Sequence, residues 1–152
     1  MSYYEFFCPV KVIAGQAALE HLPYELTAIE STRPMIVTDQ GVRAAGLLDP
    51  VISACQESGI NIAAIYDEVP PDSSTTIVRD IANLYRQQQC DALIAIGGGS
   101  SIDTAKAVNI LVSEGGDDIA AYSGAGVLTR PLRPYFVIPT TAGTGSEVTS
   151  VA

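Results

Sequence analysis

The run DALIAIGGGSSIDTAK, from Asp91 to Lys106, most constrains what this chain can become. A short apolar strand empties into Gly97, Gly98 and Gly99, and a helix begins at once on Ser100 and Ser101. The first N–H groups of a helix lack intrahelical partners and carry partial positive charge, so such a corner suits a phosphate. Glycines let the main chain approach an anion with no side chain between. The plainer alternative is a tight strand-to-helix turn with a serine N-cap, but that turn needs one glycine, not three in a row. The run matches neither GxxxxGK followed by Ser or Thr nor GxGxxG, so the two commonest phosphate-loop fingerprints are absent.

The rest of the chain alternates in the same way. Residues 34–38, 61–66, 92–96 and 135–138 are short apolar runs without polar alternation, as strands covered on both faces require. Helical spacing of apolar residues covers 16–29 (with Pro23 as a defect), 47–58, 74–89 and 101–113. This order predicts an α/β fold: a doubly wound, mostly parallel, Rossmann-like sheet. Tyr3–Phe7 and Val10–Ile13 are expected to add an N-terminal edge strand or hairpin. Residues 115–134 form a Gly- and Pro-rich connection long enough to suspect function.

Composition narrows the partners. The 152 residues suit one domain, 1–152, and 47% hydrophobic content with a mean hydropathy of +0.26 supports a real core. A net charge of −9 argues against nucleic acid and anionic membranes as partners. Cys8, Cys55 and Cys90 are scattered and odd in number, which reads as reduced thiols in the cytoplasm. The N-terminus lacks the pattern of a signal peptide, and no apolar run approaches the ~18 residues that span a bilayer. The chain ends on what reads as the start of a strand, as if cut in mid-architecture.

The candidate site residues all follow the carboxyl ends of expected strands, where open α/β sheets bind ligands. Asp39 follows the first strand. Its carboxylate suits the two hydroxyls of an adenosine ribose and would repel a 2′-phosphate, or else it caps the next helix. Pro139–Glu147 (PTTAGTGSE) is a second loop of glycines and hydroxyls, able to wrap phosphate, ribose or a nicotinamide amide, or simply a polar loop. Val69–Ser74 either lines the adenosine side or supplies a proline-stiffened loop and a serine N-cap. Asp103 and Lys106 read as an i,i+3 ion pair. His21, the one histidine, is expected on a helix surface. One histidine and three dispersed cysteines make no transition-metal site and no Ser/His/Asp arrangement.

These residues resemble the iron-containing (group III) alcohol dehydrogenase family. Gly97–Lys106 is similar to the family's GGGSxxDxAK, Pro139–Glu147 to its PTTAGTGSE signature, and Asp39 in Val37-Thr38-Asp39 to its cofactor-ribose aspartate. Lys11–Gly15 with Ala18–Glu20 also looks familial. The resemblance implies NAD rather than NADP as cofactor, with Gly97, Gly98, Gly99 and Ser100 on the pyrophosphate. Thr140, Thr141 and Thr144 would line its pyrophosphate and nicotinamide end. It implies hydride transfer between an alcohol and an aldehyde or ketone, with Fe2+ or another divalent metal polarising the oxygen, in a homo-oligomer.

Two departures stand out. The family's metal ligands belong to a second, helical domain that would lie beyond Ala152, so this polypeptide alone is expected to hold no metal, contain no catalytic residue and not catalyse. The family's Asn-Pro pair is replaced by Pro71-Asp72. The rival expectations are a stand-alone nucleotide-binding protein without catalysis and a nucleoside-phosphate enzyme of another class.

Overall fold

The structure is a computed structural model that describes residues 9–124 and 126–149. Its centre is a four-stranded sheet of β1 (Pro34–Val37), β2 (Ala64–Tyr66), β3 (Ala92–Gly97) and β4 (Tyr135–Pro139), in the order β2-β1-β3-β4. Every pairing is parallel; Ile36 of β1 lies opposite Ile65 of β2 on one side and Ile94 of β3 on the other. Parallel neighbours need crossovers, and helices supply them. These are α1 (His21–Ala28), α2 (Gln40–Ala44), α3 (Leu48–Glu57), α4 (Thr75–Gln87) and α5 (Gly99–Glu114).

The two central strands are buried on both faces, which is why their sequences run apolar without alternation. The strand period of two still divides them between two cores. Met35, Val37, Leu93 and Ala95 pack against α4 and α5, through Ile81, Tyr85, Ile102 and Val108. Ile36, Ile94 and Ile96 pack the other way, against Leu22, Leu26, Val51 and Cys55 of α1 and α3. Helices therefore cover both faces, and the doubly wound architecture read from the sequence is the one observed.

The helices begin and end for local reasons. Pro23 is tolerated because it sits in the first turn of α1, where its missing N–H has no intrahelical partner to lose. Ser74 caps α4 by accepting from the Ile77 amide. Gly115 ends α5 in the left-handed conformation, φ +86°. The expected helix over 16–29 begins as a 3-10 turn at Ala18–Glu20.

The N-terminal expectation is revised. Val10–Ile13 form no strand, and Val10 and Val12 are exposed. β2 and β4 occupy the sheet edges instead. The Tyr3–Phe7 half of the expected hairpin lies outside the described residues.

The long connection 115–134 is strapped to α5. The Glu114 carboxylate accepts from the Thr129 and Arg130 amides and the Thr129 hydroxyl. Asn109 and Ser113 hold Arg133 through its main chain. The backbone donors pull the Glu114 carboxyl below its ordinary value, that of Arg130 most strongly.

Candidate functional site

The chain leaves β1 towards β2 on one side of the sheet and later enters β3 on the other, so the strand order reverses between β1 and β3. Two connections that diverge leave a gap at their carboxyl ends. A crevice of about 830 Å³ opens there, walled by Asp39 to Val42, Glu68 to Pro71, Gly98 to Ser101, and Thr140 with Thr141. Of the sequence-derived candidates, Asp39, Gly98, Gly99, Ser100, Thr140 and Thr141 meet in its wall, whereas Gly97 and Thr144 do not line it.

The three glycines have separate reasons. Gly97 has φ +146°, and a Cβ there would meet Ser101 Oγ at 2.7 Å and Asp39 Oδ2 at 3.0 Å. A Cβ on Gly98 would meet Thr141 Oγ1 at 3.0 Å, so the Pro139–Glu147 loop closes directly over the turn. Thr144 packs beside Gly99, its methyl 3.5 Å from where a Gly99 side chain would begin. The Thr140 amide donates to the Gly97 carbonyl at 2.9 Å, extending the β3–β4 ladder into both loops.

No side chain caps the first turn of α5, whose N-cap is Gly98. Its opening amides, at Gly99, Ser100 and Ser101, are the ones an α-helix leaves without internal partners. The charged residues of the crevice wall are Asp39 and Glu68, both acidic. Attraction for an anion at this corner therefore comes from oriented main-chain dipoles, not from a lysine or arginine.

The two serine hydroxyls are turned to protein acceptors. Ser100 Oγ donates to the Pro71 carbonyl at 2.6 Å, and Ser101 Oγ donates to Asp39 Oδ2 at 3.0 Å. Asp39 caps α2, accepting from the Val42 amide at 3.0 Å, and it also stands on the crevice wall. α2 itself went unread in the sequence, and the cap residue was its signal. Arg43 of α2 pairs with Asp67 after β2, holding the β1 and β2 loops together. Residue 71 joins the site through its carbonyl, which a side-chain motif does not encode.

The second loop is anchored from below. Lys106 Nζ reaches Asp103 Oδ1 at 3.2 Å and Thr149 Oγ1 at 2.8 Å. Ser146 Oγ donates to Asp103 Oδ2 at 3.2 Å. The i,i+3 pair is thus the footing of the Pro139–Glu147 loop. Tyr135 donates to the Ile102 carbonyl, and burial, with Asp103 adding to it, raises its phenol well above the ordinary value. His21 is exposed on α1. No group of three or more His, Cys, Asp or Glu side chains able to hold a metal gathers among the described residues. No helix among them is long and apolar enough to cross a membrane.

Fold and crevice together define a doubly wound parallel α/β protein with its ligand gap at the strand-order reversal. The family description "Iron-containing alcohol dehydrogenase" matches residues 9–152. The chain belongs to that family. It is 38% identical over 152 residues to the choline dehydrogenase of Bacillus subtilis (strain 168), covering 99% of this chain and 38% of that protein. It is 39% identical over 147 residues to the NAD-dependent methanol dehydrogenase of Bacillus methanolicus, covering 97% and 38%. The crystal structure of a 1,3-propanediol oxidoreductase superposes with a TM-score of 0.89 at 34% identity, covering 97% of this chain and 38% of that one. The chain thus spans less than two fifths of the length of these relatives.

Proposed function

We propose that this chain binds a nicotinamide dinucleotide, NAD in preference to NADP, as the cofactor-binding part of a dehydrogenase acting on a small alcohol or aldehyde. One observation carries the reading: the uncapped first turn of α5 opens on the crevice at the strand-order reversal, with Asp39 beside it in the crevice wall. The residues fit the group. Main-chain amides at Gly99, Ser100 and Ser101 would take the pyrophosphate, Gly98 and Gly99 add no side chain to the crevice wall there, and Gly97 leaves room for Ser101 and Asp39. Thr140, Thr141 and Thr144 shape the loop over that corner. Asp39 would accept ribose hydroxyls and repel a 2′-phosphate. When bound, the cofactor supplies a hydride acceptor or donor.

The donor set of the described residues does not fit iron. Metal ligation and the choice of alcohol are therefore assigned to residues other than these, and no catalytic role is given to any side chain named above.

Fluorescence titration tests the proposal. NADH is expected to saturate the chain, while ATP does not compete. Asp39→Gly should weaken NADH and relax the bias against NADPH. An unchanged ratio of the two affinities would remove the ribose role, and failure of NADH to bind would remove the proposal.

A further inference from the structure

We infer that Ser101 is the positioning residue for the Asp39 carboxylate, and that its hydroxyl sets discrimination between a dinucleotide with a free 2′-hydroxyl and one with a 2′-phosphate. The inference rests on the cofactor reading above and deepens it. Ser101 is 1% exposed, yet it belongs to the crevice wall and its hydroxyl donates to Asp39 Oδ2 at 3.0 Å. That bond joins α5, which follows β3, to the loop after β1, where the strand order reverses.

Each oxygen of the carboxylate accepts one protein hydrogen bond. Val42 N donates to Oδ1 and Ser101 Oγ to Oδ2, each at 3.0 Å. Two glycines leave room for it: a Cβ on Gly41 would stand 3.1 Å from Oδ1, and one on Gly97 3.0 Å from Oδ2. A carboxylate has about four acceptor positions, so two protein donors leave capacity for ribose hydroxyls. An aspartate's terminal torsion is otherwise broad and two-fold. Without the Ser101 donor, only the Val42 amide fixes the plane, and the carboxylate can turn aside from a 2′-phosphate instead of confronting it.

The test is the ratio of NADH to NADPH dissociation constants, measured by fluorescence on the 152-residue chain, with the thermal midpoint read alongside. Ser101→Ala removes one oxygen and installs the best helix former, so the fold holds. The preference for NADH is expected to shrink by about tenfold, chiefly through tighter NADPH binding as the carboxylate turns aside. Ser101→Thr keeps the hydroxyl and should stay within about twofold of the parent ratio, whereas Ser101→Val, which has the shape of threonine without its hydroxyl, should behave like Ser101→Ala. A purely structural role would move the thermal midpoint and leave the ratio alone. Thr and Val variants that share one ratio overturn the inference while leaving the cofactor reading intact. A parent chain that binds neither dinucleotide overturns both.

Discussion

The Ser100 hydroxyl donates to the Pro71 carbonyl oxygen across 2.6 Å, tying the glycine turn after β3 to the loop after β2. The bond spends the side chain of Ser100 on the protein and leaves its amide at the head of α5. Ser100→Ala should therefore loosen the 67–74 loop more than it disturbs an anion at the turn. A net loss of about 1 kcal/mol, or ~2–4 °C in thermal midpoint, is expected. NADH affinity should change less than about threefold, which calorimetric melting and fluorescence titration can establish together.

Gly97 and Gly98 should fail differently when each is replaced by alanine. At Gly97 the backbone itself is in a region alanine rarely adopts, and the new methyl would press on Ser101 and Asp39. Gly97→Ala should destabilise the chain by about 1–3 kcal/mol in chemical denaturation. At Gly98 the backbone, φ −90° and ψ −165°, is open to any residue, and the obstacle is the Thr141 hydroxyl. Gly98→Ala should leave stability nearly unchanged and weaken NADH binding by shifting the loop that closes over the turn. Equal denaturation midpoints for the two variants would refute this division.

The Glu114 strap should loosen in acid. Its carboxyl lies below the ordinary 4.5 in the folded chain, held there first by the Arg130 amide. A depressed pKa means stabilisation that is fully present above the unfolded value and lost as pH falls through the folded one. The protection factors of the Thr129 and Arg130 amides, taken relative to the intrinsic exchange rate at each pH, should fall as pH drops below ~4.5, and Glu114→Gln should abolish that fall. Protection that is flat from pH 6 to pH 3 would rule the strap out.

Cys90 should be a poor nucleophile. Burial pushes its thiol up to about 11, with Arg33 opposing and Asp91 reinforcing the shift. At pH 8 its thiolate fraction is then about a hundredfold below that of an ordinary thiol. Iodoacetamide labelling followed by peptide mass spectrometry should show slow modification at pH 8 that rises steeply towards pH 11. Labelling at the rate of a free thiol would contradict the assignment.

Much of this molecule is legible in its sequence because its apolar runs are short, unalternating and separated by helical periodicity. The four apolar runs at 34–38, 61–66, 92–96 and 135–138 each supply a strand of the observed sheet, and the helix expected over 74–89 runs from Thr75 to Gln87. The sequence is least legible where an element is very short, lacks a pairing partner or ends without its usual residue. α2 has five residues, too few to show a period, and exists because Asp39 caps it. Val10–Ile13 had the composition of a strand but no place in the ladder. Gln89, left-handed at φ +52°, ends the α4 turn without the glycine that would have announced it.

The candidate site divides in the same way. A triple glycine between a buried strand and a helix marks a tight corner in the order of residues alone, and the structure adds that no side chain caps its amides. Where each serine hydroxyl points is not marked there. Ser100 finds a carbonyl 29 residues away and Ser101 a carboxylate 62 residues away. Those partners meet only once parallel pairing has set the strand order, because a hydrogen bond depends on distance in space and local sequence records only distance along the chain.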